Sequence, residues 1–118
     1  MSDARDVVDR YFTALKRKDF ATMRALLHDD VTFKGPLGTT DGADDYIGTL
    51  EQVTANMTGV ERRALFADGE DVCQVYDLVL SAPAVTLPVA QWLKVRENRI
   101  ATVRLFFDPR PLVQPPES

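Results

Sequence analysis

The chain is 118 residues long, with 45% hydrophobic residues, 27% charged residues and a formal net charge of −4. That length suits one domain, here residues 1–118, and the composition excludes disordered, collagen-like and coiled-coil classes. The acidic balance disfavours nucleic-acid binding, because phosphate neutralisation needs a basic face.

At the N-terminus, Met1 to Asp6 contains neither a basic region nor an apolar core, so a cytoplasmic location is expected. Val7, Val8, Tyr11, Phe12 and Leu15 then form one apolar stripe at helical period, with Ser2 or Asp3 available as the cap. The Lys16-Arg17-Lys18 run falls where that helix ends, where cations complement the macrodipole. Asp19 opens a second short helix whose buried stripe is Phe20, Met23, Leu26 and Leu27. Asp29-Asp30 breaks it, and His28 reads as a cap or a solvated residue.

Val31-Thr32-Phe33 is a short strand candidate, and Gly35-Pro36-Leu37-Gly38 reads as loop. A third helix, capped by Thr40 or Asp41, carries Tyr46, Ile47, Leu50 and Val53 at helical spacing. From Val60 the period changes to two, giving strands at roughly 60–67, 71–80, 85–95 and 100–107. Short turn-like separators join them into an antiparallel meander. Pro109, Pro111, Pro115 and Pro116 make residues 109–118 an irregular, extended tail. Helices followed by a meander give an α+β fold, three N-terminal helices packed on one face of the sheet.

The strand faces carry polar exceptions. Cys73, Val75, Asp77 and Val79 share a face, with Asp77 its one carboxylate. Val85, Leu87, Val89, Gln91, Leu93 and Val95 share another, and Gln91 is its only polar member. Ala101, Val103, Leu105 and Phe107 form a wholly apolar third. Tyr11 adds a polar tip to the first helix's apolar stripe. An apolar cavity with a few convergent polar groups is the usual pattern of a ligand site. Burial would raise the pKa of Asp77 and suit it to proton transfer near neutral pH. Each residue also has a structural reading: Tyr11 as a core tyrosine with its hydroxyl at the rim, Gln91 bonded to loop backbone, Asp77 at a bulge.

Other chemistries find no support. Single Cys73 and single His28 supply neither a disulfide nor a zinc site. No glycine-rich loop cradles a phosphate, and no metal or cofactor is expected. No apolar run is long enough to span a bilayer.

The stretches Val8-Asp9-Arg10-Tyr11-Phe12-Thr13-Ala14-Leu15, Lys18-Asp19-Phe20 and Leu26 to Phe33 resemble the opening of the nuclear transport factor 2-like superfamily. Its members include SnoaL-like polyketide cyclases, ketosteroid isomerases and limonene-epoxide hydrolases. Leu87 to Ala90, and Arg99-Ile100 through Leu105 to Asp108, are similar to the last two strands of that group. The resemblance implies a cone-shaped α+β barrel, a bent sheet around a long helix, an apolar cavity and dimerisation through the outer sheet face.

Against the ketosteroid isomerases, Tyr11 matches the oxyanion-hole tyrosine. Gly35 stands where the base aspartate belongs, and Gln91 where the second acid belongs. Against the limonene-epoxide hydrolases, Asp77 matches a central carboxylate. There Val75 replaces an arginine, Leu105 replaces an aspartate, and Phe33 and Gly35 fall near the water-holding pair. Neither activity proper is supported, and the SnoaL-like group is the best remaining match.

The resulting expectation is a pocket lined by Phe12, Leu15, Phe33, Val75, Val79, Val89, Val103, Leu105 and Phe107, with Asp108 at its rim. It would hold a small apolar organic molecule. Cofactor-independent acid/base chemistry, of isomerase, cyclase or hydrolase type, would use Asp77 to move the proton while Tyr11 and Gln91 polarise the oxygen. The alternative is a non-catalytic ligand-binding module, or a homodimeric interaction module using an outer face of Tyr76, Leu78, Leu80 and Trp92.

Overall fold

The computed structural model describes residues 3–113. Helix α1 (Ala4–Arg17) is capped by Asp3, whose carboxylate accepts the Asp6 N–H at 2.9 Å. Ser2, the other candidate cap, lies outside the described residues. Lys18 closes the helix in the left-handed conformation, φ 55, its N–H returning to the Ala14 and Leu15 carbonyls. Helix α2 (Phe20–Ala25) starts at Asp19, which accepts the Thr22 N–H.

The next stretch differs from the sequence reading. Leu27, expected at the end of α2, begins strand β1 (Leu27–Gly35), and His28 lies within that strand. Strand β2 (Gly38–Asp41) returns as a hairpin, so Pro36-Leu37 alone form the turn and Gly35 pairs with Gly38. Thr40 and Asp41 belong to β2 and do not cap helix α3 (Ala43–Thr54). Its N-cap is Gly42 at φ 95, a conformation that glycine adopts without Cβ strain. The extra length of β1 comes from tertiary pairing: it lies parallel to the last strand, with a register shift between Leu27 and Thr32 that hides its period of two.

Strands β3 (Met57–Asp68), β4 (Asp71–Ser81), β5 (Ala84–Arg96) and β6 (Arg99–Phe106) form the expected meander. The β5–β6 turn places Glu97 and Asn98 at φ 54 and 63, the tight two-residue turn that matches sheet twist. The single sheet runs β2-β1-β6-β5-β4-β3, antiparallel except between β1 and β6. Register shifts within β3 and between β5 and β6 mark bulges, which bend a sheet. The α+β fold with a curved sheet and three N-terminal helices is as expected.

The tail is less irregular than expected. Residues Arg110–Val113 form a single turn, α4, because the Asp108 carboxylate accepts the Arg110 N–H and Pro111 sits in the first turn, where its missing N–H is harmless. Pro115 and Pro116 lie outside the described residues.

Helix α1 lies against β3 to β6, and α3 against β1 and β2. Val7, Val8, Leu27, Val31, Leu93 and Ile100 are completely buried between these layers. Each contributes about 1.5–3 kcal/mol relative to exposure. On the outside, Arg24 joins three elements, donating to Asp29 of β1 at 2.8 Å and to Asp44 of α3 at 3.0 Å.

Candidate functional site

A cavity of about 100 Å³ lies between α1, α3 and the inner faces of β4, β5 and β6. Tyr11 and Leu15 of α1 line it, with Tyr46, Leu50, Val53 and Thr54 of α3. The sheet contributes Tyr76, Leu78 and Leu80, then Leu87, Val89 and Gln91, then Leu105, with Phe33 from β1. Leu37, Phe107 and Leu112 complete the wall. Leu37 and Val53 are exposed and mark the mouth, where an adjoining groove of about 360 Å³ shares Phe33, Leu105 and Phe107. No charged side chain is among the described lining residues.

Gly35 shapes this wall. A Cβ there would lie 2.9 Å from Cζ of Phe33, so the glycine leaves room for that ring. Phe33 then stacks on Tyr46 with centroids 5.1 Å apart. The wall there is bare backbone with an aromatic ring beside it.

Tyr11, Tyr46 and Gln91 make buried hydrogen bonds at the cavity wall. The hydroxyls of Tyr11 and Tyr46 are 2.5 Å apart. Gln91 lines the cavity with them. Gln74 Nε2 donates to Gln91 Oε1 at 2.8 Å. Arg62 Nη1 in turn donates to Gln74 Oε1 at 3.5 Å and pairs with Asp9 Oδ1 at 2.7 Å. The guanidinium sits 5.2 Å from the centroid of Phe12. The lining threonines are engaged by their own helix: Thr54 donates to Leu50 O at 2.7 Å, and Thr49 to Asp45 O at 3.2 Å.

Burial is the main reason the Tyr11 hydroxyl titrates well above its ordinary range, and the neighbouring Tyr46 adds to it while Gln91 opposes it. Burial likewise pushes Tyr46 and Tyr76 upward. Phenols held neutral in an apolar cavity donate and accept hydrogen bonds but do not act as bases near neutral pH. The described lining therefore favours holding an oxygen over abstracting a proton.

Tyr11, Leu15, Phe33, Val89, Gln91, Leu105 and Phe107 line the cavity. The face assignment of β4 is corrected. Val72, Gln74, Tyr76, Leu78 and Leu80 are buried toward the helices, whereas Cys73, Val75, Asp77 and Val79 are half-buried on the outer face. The physical reason is hairpin parity. Ser81 pairs with Ala84, so Leu78 stands opposite Leu87 and Gln74 opposite Gln91, and opposed residues share a face.

Asp77 therefore points away from the cavity. Arg63 donates to its carboxylate at 2.9 Å through Nε. Val75 and Val79 leave the lining with it. Tyr76, Leu78 and Leu80, expected on the outer face, line the cavity, and only Trp92 of that group faces outward. Phe12 packs behind the wall on Tyr76, centroids 5.7 Å apart, and Val103 is buried in the core beneath it. Asp108 is exposed and bonded to Arg110, which lowers its pKa.

Sequence reasoning assigned no role to Tyr46, Gln74 or Arg62. Tyr46 was visible as a polar tip on the apolar stripe of α3. The turn at Ala82-Pro83 carried the parity that places Gln74 beside Gln91.

Residues 8–103 match the family model of the SnoaL-like domain. No curated protein matches the sequence. Among solved structures, an NTF2-like protein of unknown function from Cytophaga hutchinsonii is 27% identical. The match covers 97% of each chain with a TM-score of 0.85. An LEH-like epoxide hydrolase from M. tuberculosis is 25% identical, covering 89% of this chain and 82% of its own, at a TM-score of 0.76. A de novo designed protein with a curved β-sheet, 23% identical, matches over 93% and 90% of the two chains at 0.82 and shares the fold.

Proposed function

The chain belongs to the SnoaL-like domain family, and from that premise we propose that it binds a small, largely apolar organic molecule in the cavity between α1, α3 and the sheet. The observation that carries this reading is the lining: aliphatic and aromatic side chains, interrupted by the Tyr11, Tyr46, Tyr76 and Gln91 side chains alone among groups not engaged by their own helix. A cavity of about 100 Å³ is smaller than the about 150 Å³ that encloses benzene, so a ring of that size extends past Leu37 and Val53 into the adjoining groove. Acid/base turnover through Asp77 is not part of this reading, because that carboxylate faces outward.

Benzene followed by two-dimensional amide NMR tests it. Shifts should concentrate on residues around the cavity and vanish in Leu105→Trp, whose indole fills the space. Shifts scattered over the surface, or unaffected by that substitution, would refute a binding cavity.

A second reading rests on a different observation. Phe66, Trp92 and Phe106 are 64%, 43% and 53% exposed on the outer face, close around Cys73. Such a patch suits self-association, so we propose this face as a homodimer contact. Sedimentation should show a dimer that Phe66→Glu dissociates; a monomer at all concentrations would refute it.

A further inference from the structure

The wall of the cavity is not held equally on all sides. Tyr11, Tyr46 and Gln91 stand on α1, α3 and β5, whose backbones are fixed by helix and ladder hydrogen bonds. Leu37 sits in a two-residue turn closed by the pairing of Gly35 with Gly38. Leu112 is different. Its segment leaves the sheet after Phe106, and the hydrogen bonds of residues 109–113 all stay within 108–113. Among the described residues, no hydrogen bond or ion pair ties α4 to another element. A single turn has no helical stability of its own. Two things hold it: the Asp108 carboxylate at its start, and the Leu112 side chain, half-buried against the core at the cavity wall. Arg110, Pro111 and Val113 are exposed. Few buried contacts and exposed backbone hydrogen bonds mark the part of a fold that opens most readily.

Pockets for organic ligands commonly enclose about 300–1,000 Å³, and this cavity encloses about 100 Å³. A molecule of more than one ring fits only if part of the wall moves. We propose that α4 is a displaceable lid: Leu112 closes the cavity, and a two-ring apolar ligand binds by pushing it out and covering the lining in its stead. The apparent affinity is then the intrinsic affinity reduced by the fraction of molecules with the lid open. Asp108 governs that fraction without touching the ligand, since its carboxylate is exposed and bonded to Arg110 at the start of the turn. The proposal rests on the binding reading above and adds how the site takes a molecule larger than its closed volume.

Indole, a two-ring probe, titrated by NMR into the full chain tests this. At saturation the backbone shifts of Leu112 and Val113 should move from helical toward unfolded-chain values, as the bond from the Leu112 N–H to the Pro109 carbonyl is lost. Asp108→Ala removes the cap, so it should tighten indole binding about fivefold. Leu112→Ala removes the anchor and should tighten it as well, and in that background Asp108→Ala should add nothing. Helical shifts kept at saturation, with equal affinity in Asp108→Ala, would mean that indole enters past Leu37 and Val53. That result would overturn the lid and leave the cavity reading intact. Full additivity of the two substitutions would also overturn it, because Asp108 would then act outside α4. So would binding of benzene without indole in both the wild type and Asp108→Ala. Binding of neither molecule would overturn the cavity reading and this proposal with it.

Discussion

Gln74→Leu removes the amide between Arg62 and Gln91. Gln74 is completely buried and donates to Gln91 Oε1 at 2.8 Å. With leucine in its place that carbonyl stays buried without this donor, which costs about 1–3 kcal/mol. Gln91→Leu leaves Gln74 Nε2 equally stranded, so its cost lies in the same range. In the double variant both stranded atoms disappear together. Its cost should fall short of the sum of the single costs by at least about 1 kcal/mol, the usual coupling of contacting polar residues. For a domain of this size that shortfall is about 4 °C in Tm. Urea unfolding followed by far-ultraviolet circular dichroism measures all four proteins, and equal m-values confirm that the unfolded states are comparable. Strict additivity would show that the two amides act independently. A Gln74→Leu variant as stable as the wild type would show that Gln74 is solvated.

Three further outcomes follow from the same geometry. All three tyrosines of the sequence are buried with raised pKa values. Their contribution is therefore fully present below about pH 10, the unfolded value, and is lost as pH rises toward the folded ones. The slope is up to about 1.4 kcal/mol per pH unit for each tyrosine. Alkaline titration should show no tyrosinate absorbance before unfolding, and Tyr46→Phe should reduce the slope by one tyrosine's share; tyrosinate forming in a native fold would contradict this. Asp77→Asn, which breaks an exposed pair with Arg63, should leave both the urea midpoint and benzene affinity nearly unchanged; a large loss of affinity would return that carboxylate to the site. Leu87→Ala should cost about 2–5 kcal/mol and widen the cavity toward the about 150 Å³ that encloses benzene. Benzene titrated into both proteins checks this through tighter binding by the variant, and equal binding would mean that the wall collapses into the space.

The elements that sequence periodicity located best are those that depend least on distant partners. The stripe of α1 and the four meander strands lie within three residues of their expected bounds, because their short connections leave neighbouring strands no other partners. Strand β1 was harder to read, since its pairing with β6 is remote and its register shift spoils the alternation. The face of β4 was ambiguous in itself: Val72, Tyr76 and Leu78 alternate with Cys73, Val75 and Val79, and either set could fill a core. Hairpin counting from Gln91 resolves it, and with it the site. Tyr11 and Gln91 were legible as polar residues on apolar faces. The long reach of Arg62, a charged residue on a half-buried strand, had no such signature.

The parallel seam between β1 and β6 also governs the order of assembly. Leu27 pairs with Ile100, and the Ile100 N–H reaches the Leu26 carbonyl. Strands β1 and β2 thus join the rest of the sheet through β6. The meander closes through neighbours in sequence, a fast process, whereas the seam brings together segments more than half the chain apart. Until β6 is complete, the first strand has only β2 beside it, and the rear of the cavity is open. A chain folding as it is synthesised closes this cavity only once β6 has joined β1.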